Sequence, residues 1–363
     1  MNFPDRRPTR VHSPSGTSLL GAAALVLLTS CGGPPPGDEP TGADAEDAWK
    51  IAAPADPLDR TIAHIYASAL SSRDAPTLVD DEPWRGAEDA GADAGAGGSQ
   101  PPPEIPGLAS GEDPGDGSEL IIMRTSSLAH YADPEAIDGL TSSPEVLEAA
   151  EDRMDDPETG SGPGAELLDP SAATQPASLA ITTVTAEQED IDTAPDAASE
   201  SVEAGCDGLE LGASSSLASG APDGDSPEAD PARSVEEALN ADYDCAPESV
   251  VVAEDDDLIS QLIRGEIDGA LVSSTHPGIL DHALIVLDDT EEAFSEEQFV
   301  PVAAGEIAEE APDITGEVAQ RLDDDAVVTI RRLLEGPDAL TPAQAAEYWL
   351  VEEGLIAEPE GWG

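Results

Sequence analysis

Residues 257 to 287 spell out a helix followed by strands, and that grammar limits the fold more than any other feature of the chain. Asp257 can cap a helix in which Leu258, Ile259, Leu262 and Ile263 share one face; Gly265 supplies a C-terminal stop, and Ala270-Leu271-Val272 then reads as a strand. Ala283-Leu284-Ile285-Val286-Leu287 is a short apolar run bounded by acids, which predicts a buried strand. Elsewhere, Ile62, Ile65, Tyr66 and Leu70 form a helical stripe, the mark of a core-facing helix. Thr341-Pro342-Ala343-Gln344 combines an N-cap Thr, Pro at the first helical position and Gln at the third, so a helix starts there and stops at Gly354. Alternating helix and strand predicts the α/β class with parallel sheets.

Charge excludes several functions. The chain of 363 residues carries 78 Asp and Glu against 14 Lys and Arg, a formal net charge of −64. A polyanion is held by clustered Lys and Arg, and here Lys50 is the one lysine and the arginines are scattered, so nucleic acid is not a partner. Adhesion to anionic lipid through a basic patch fails for the same reason. The acids run through helices, strand ends and linkers alike, which fits either adaptation of the whole surface to a salty medium or the drift of a GC-rich genome that disfavours Lys codons.

The N-terminus places Arg6, Arg7 and Arg10 before an apolar stretch from Leu19 to Leu28, then Thr29-Ser30-Cys31. A basic region, a short apolar region and small residues before a cut make a secretory signal too short to span a bilayer. Leu28-Thr29-Ser30-Cys31 resembles the bacterial lipobox, which implies a signal peptide over 1–30 and lipidation of Cys31 as the membrane anchor. Residues 31–45 then form an acidic Pro/Gly tether. The other two cysteines, Cys206 and Cys245, form either a disulfide, as an extracytoplasmic compartment favours, or two free thiols. A bridge closing a loop of about 40 residues would stabilise by roughly 3–4 kcal/mol in the chain-entropy model.

Catalytic and cofactor signatures are thin. There is no Gly-rich phosphate loop, no His-Glu-x-x-His and no Gly-x-Ser-x-Gly, and His276 and His282 stand six apart, not at the i, i+4 spacing of a helical metal pair. Acid pairs such as Asp288-Asp289 are expected everywhere in so acidic a chain. No enzyme activity, cofactor or metal is predicted.

Several ordered motifs carry a family resemblance. Leu168-Asp169-Pro170-Ser171-Ala172-Ala173-Thr174 with Leu179-Ala180-Ile181-Thr182, Cys206-Asp207-Gly208-Leu209-Glu210-Leu211, Leu262-Ile263-Arg264-Gly265-Glu266-Ile267 with Ser274-Thr275, Leu284 to Asp289, and Ala346-Glu347-Tyr348-Trp349-Leu350 follow one another in order. The series resembles the glycine betaine/choline/carnitine-binding proteins of ABC importers. The resemblance implies a two-lobed type II periplasmic-binding-protein fold, a venus flytrap with a hinge. Lobe one would span 46–182 and 299–363, with a low-complexity insertion at 86–118, and lobe two 183–298. It also implies capture of a small osmolyte in the cleft and delivery to ABC permease and ATPase subunits.

Departures from that pattern bear on the ligand. Such proteins enclose a trimethylammonium group in aromatic faces, since cation–π attraction grips a cation that donates no ordinary hydrogen bonds. Here Ser126, Leu217 and Ala177 fall where the family carries rings, and Pro54-Ala55-Asp56-Pro57 replaces its polar element after the first strand. By position, Ser126, Ser127, Thr174, Ser215, Ser216 and Thr275 are expected to line the cleft, a site of hydroxyls suited to a zwitterion held at its acid end. Trp84, Tyr131, Phe294 and Phe299 are the rings that could substitute. The alternative function is an accessory or sensor lipoprotein that keeps the fold without transport.

Overall fold

In a computed structural model, the described residues are 48–80, 118–132, 142–155, 165–188, 191, 208–215, 231–289, 293–294, 296–310, 313–336 and 338–358. The signal, tether and Cys31, the stretch 81–117, Cys206, Ser216, Leu217 and Trp84 lie outside them. The first half runs β1 (Trp49–Ala52), α1 (Pro57–Ser71), β2 (Thr77–Val79), β3 (Leu120–Arg124), α2 (Thr125–Ala132), α3 (Ser143–Asp155) and β4 (Ala165–Leu167). A second set follows: β5 (Ala177–Ile181), α4 (Thr183–Gln188), β6 (Glu210–Ser214), α5 (Pro231–Tyr243), β7 (Ser249–Ala253), α6 (Asp255–Arg264), β8 (Gly269–Ser273), α7 (Pro277–Asp281) and β9 (Ile285–Asp288). The chain closes with β10 (Phe299–Ala304), α8 (Gly305–Glu310), α9 (Ile314–Arg321), α10 (Asp324–Leu334) and α11 (Pro342–Glu352).

Two five-stranded sheets result, in the orders β2-β1-β3-β10-β4 and β7-β6-β8-β5-β9. Each is mostly parallel, and in each the antiparallel strand is the one that has just arrived from the other lobe: β5 against β8 and β9, β10 against β3 and β4. Two covalent crossings therefore join two α/β lobes, each with its own sheet. The first crossing comes earlier than residue 183, because Ala177–Ile181 pairs with Gly269–Ser273 and so already belongs to lobe two. Pro170 and Pro176 frame the crossing segment and keep it out of both sheets.

Both sheets are covered on both faces, as buried parallel strands require. In β3, Leu120 and Ile122 enter one core with Ile62, Tyr66 and Trp349, while Ile121 and Met123 enter another with Leu128, Val146 and Ala150. Lobe two repeats the plan, with Leu179, Leu211 and Leu271 packed toward Val235 and Leu239 of α5, and Ala180, Ala270 and Val272 packed toward Leu258 and Leu262 of α6.

Local signals explain the elements. Asp56 caps α1 by accepting from the backbone N–H of Leu58 (2.9 Å) and Asp59 (3.2 Å), with Pro57 in the first turn. The Thr341–Gln344 capping box opens α11. Helix α6 starts two residues before the predicted Asp257 cap, Glu254 occupies the N-cap without a side-chain capping bond, and Gly265 ends it at φ 69°. Leu258, Ile259 and Leu262 are buried, but Ile263 is 45% exposed because it lies at the edge of the predicted face. Gly212 lies under α6, where an added Cβ would come to 2.5 Å from Leu258 Cδ2, so a side chain there would make Leu258 shift. Residues 284–286 are only half-buried, since β9 is an edge strand rather than a buried one.

A net charge of −64 opposes compaction of both lobes, and that repulsion should be relieved by salt. Raising KCl from about 0.01 M to about 1 M shortens the screening length from about 30 Å to about 3 Å, so the melting temperature should rise across that range. A flat or falling melting curve would show that surface repulsion does not limit stability.

Candidate functional site

The two crossings are tied together beneath a cleft. Phe299 N–H donates to Ser171 Oγ (3.0 Å), Ser171 N–H donates to the Phe299 carbonyl (2.8 Å), and Gln298 Nε2 donates to the Ser171 carbonyl (2.7 Å). Nearer the cleft, Gln175 Nε2 donates to the Glu297 carbonyl (2.8 Å) and Glu297 N–H to the Thr174 carbonyl (2.9 Å). Such a pair of bonded strands can act as a hinge, with Gln175 and Glu297 at its floor.

Above this floor lies a cleft of about 390 Å³. Its walls are built from the carboxyl ends of parallel strands in both sheets, where open α/β sheets place their ligands. Lobe one contributes Asp56 beyond β1, Arg124 at the end of β3, and Arg331 and Glu335 from α10 and the residue after it. Lobe two contributes Ser214 and Ser215 at the end of β6, Glu254 to Asp256 where β7 passes into α6, Ser273 ending β8, and His276.

Charge dominates this lining. Arg124 Nε donates to Asp59 Oδ1 at 2.9 Å, and its Nη2 lies 3.4 Å from Asp56 Oδ1. The Arg124 guanidinium sits 5.5 Å from the centroid of the Phe299 ring. Burial raises the carboxyl pKa of Asp59 and of Glu297 above the usual range, against the pull of Arg124. Burial works against the charge of Arg124, but Asp59, Glu297 and Asp56 outweigh it and hold the guanidinium protonated. Arg331 stands differently: burial, then repulsion from Arg124, push its pKa down, and it forms no ion pair among the described residues. Its Nη2 reaches Gln175 Oε1 at 3.4 Å, and its Nε is buried without a partner.

Across the mouth, Arg332 Nη2 bonds Asp281 Oδ1 at 2.6 Å, a link between α10 of lobe one and α7 of lobe two. Asp256, His276 and Glu335 also meet there, with one atom of each within 4.8 Å of the others. His276 Nδ1 accepts from Gly278 N–H (3.0 Å), so the imidazole proton sits on Nε2, 3.2 Å from Asp256 Oδ1. Both ring nitrogens are thus engaged by protein groups. His282 is exposed at the other end of α7, so the two histidines do not share a site.

The hydroxyl residues expected from the sequence are dispersed. Ser215 lines the cleft and donates to Glu254 Oε1 at 2.8 Å. Thr275 is buried behind the wall, its Oγ1 2.9 Å from Ser273 Oγ and 3.4 Å from Gln175 Oε1, so it supports two lining residues instead of facing a ligand. Ser126 and Ser127 sit half-buried in the first turn of α2, and Thr174 N–H is engaged by Asp324 Oδ1 at 3.1 Å; none of the three lines the cleft. Phe299 is fully buried, Phe294 belongs to the lobe-two core, and the Tyr131 side chain lies outside the described residues, so no Phe, Tyr or Trp is found among the described lining residues. Sequence reasoning missed Arg124 and Arg331, although an arginine ending an apolar strand was a usable sign of the crevice.

A model of the substrate binding domain of ABC-type glycine betaine transport systems matches residues 146–352. The chain belongs to this family. A crystal structure of a glycine betaine/carnitine/choline ABC transporter protein superposes with a TM-score of 0.58 at 16% identity, covering 85% of this chain and 99% of that one. Apo YehZ from Escherichia coli superposes with a TM-score of 0.56 at 14% identity, covering 85% and 100%. Both likenesses concern the fold, a two-lobed solute-binding architecture. No curated protein matches the chain. Among the described residues no helix is long and apolar enough to cross a membrane.

Proposed function

We propose that the protein is an extracytoplasmic lipoprotein, anchored through Cys31, that captures a compatible solute of the glycine betaine, choline or carnitine type and delivers it to an ABC permease and its ATPase. The observation that carries this reading is the hinged, polar cleft between two type II lobes in a member of this substrate-binding family. Closure of the lobes around solute would commit it to transport. A Cys206–Cys245 bridge fits the same compartment: Cys245 is 1% exposed within the lobe-two core, so the bridge would brace one lobe without opposing closure.

Full-length lipidated protein in detergent should release or absorb heat on titration with at least one of glycine betaine, choline, carnitine, proline betaine and ectoine, saturating at one site per chain. Silence toward all five at millimolar concentration would overturn capture of these solutes; a lining without Phe, Tyr or Trp among its described residues is what supports the accessory or sensor reading.

A further inference from the structure

The cleft is equipped for a different cationic group from the one its family resemblance suggests. A permethylated ammonium needs ring faces, and the Phe299 face beside the cleft is already covered by the Arg124 guanidinium. In place of Phe, Tyr or Trp the described lining offers six carboxylates, Asp56, Glu254, Asp255, Asp256, Glu297 and Glu335, against two guanidinium groups.

Two of these groups are unfinished, one on each wall. On lobe one, Arg331 has no ion pair among the described residues and a buried Nε with no acceptor. On lobe two, Asp255 has a buried Oδ1 with no donor. Asp255 opens α6, so the helix dipole accounts for an acid there but leaves this shielded, unbonded oxygen unexplained. The Arg332–Asp281 contact holds the two walls in register.

Resting on the solute-capture reading above, we infer that the cleft takes a small zwitterion whose cationic end keeps N–H donors, an amino- or imino-acid-like solute, with its carboxylate on Arg331 and its ammonium toward Asp255. A carboxylate can engage the Arg331 guanidinium at two points and adds a directly bonded counter-charge to a cation that burial and Arg124 disfavour and that Asp255, Asp56 and Glu335 offset only in part. An N–H group can complete Asp255, whereas a trimethylammonium has no donor and leaves that oxygen unbonded. Because one end is held by each lobe, the same ligand would draw the lobes together.

Matched pairs that differ only in N-methylation test this in the full-length protein by calorimetry: L-proline against proline betaine, and sarcosine and N,N-dimethylglycine against glycine betaine. The N–H member of each pair should bind at least about tenfold tighter, or about 1.4 kcal/mol. Arg331→Gln should weaken every binder by about tenfold or more, since all share the carboxylate, and Asp255→Asn should narrow the difference within each pair, with circular dichroism confirming that both variants fold. Equal or tighter binding of the permethylated members, or an unchanged difference in Asp255→Asn, would overturn the inference while solute capture stands. No binding by any member would overturn both.

Discussion

Replacing Arg124 by leucine should cost about 3–5 kcal/mol of folding stability, because it strips the counter-charge from carboxylates that the fold has already taken out of water. Asp59 is 3% exposed and bonds Arg124 at 2.9 Å, and at the hinge floor burial raises the Glu297 pKa against the pull of the same guanidinium. Arg124→Lys keeps the charge but not the flat group over Phe299, so it should lose less. The pH dependence separates lost charge from lost packing. Burial already raises both carboxyl pKa values. A group whose folded pKa is raised contributes stability that is fully present below its unfolded value, near pH 4, and is lost as pH rises through the folded value. Without Arg124 both folded values move higher still, so the deficit of Arg124→Leu relative to the parent should shrink between about pH 7 and about pH 5. Urea midpoints at the two pH values read this directly. A deficit that stays constant would mean that the leucine variant is weakened by packing alone.

The fold was far more legible than the site, and the reason is one of distance along the chain. Helix α6, its Gly265 stop and the following β8 could be read because their signals lie within about twenty residues and depend on local geometry. The capping box of α11 is legible for the same reason. The cleft instead gathers Asp56, Arg124, Gln175, Asp255 and Arg331, one from each of five segments that meet only when two sheets are aligned by their crossings. Asp255 is one acid among 78 and carries no local mark. The hydroxyl residues stand where the family pattern would put ligand contacts, yet Thr174 and Thr275 bond to hinge and wall residues instead. Arginine was the better indicator: in so acidic a chain a buried cation must answer a specific partner, and Arg124 closes the apolar run Leu120–Met123 at the very end of a buried strand.

Trp349→Ala should be the most damaging single change in lobe one away from the cleft, at about 3–5 kcal/mol, the usual range for removing a buried tryptophan. Trp349 is 2% exposed on α11 and shares a core with Ile62, Tyr66 and Leu70 of α1, so α11 is the helix that clamps α1 onto the first sheet. Its indole Nε1 is buried and has no partner among the described protein groups, so its contribution is packing and not hydrogen bonding. Trp349→Phe keeps most of the apolar volume and removes the unsatisfied donor, and its cost should stay below about 1.5 kcal/mol. The effect should also reach the cleft: the first turn of α1 carries Pro57 and Leu58 into the lining, and its cap Asp56 bonds Arg124. The alanine variant should therefore lose ligand affinity as well as stability, whereas the phenylalanine variant should retain both. Equal losses in the two variants would place the critical feature of Trp349 in its N–H group and contradict this account of the lobe-one core.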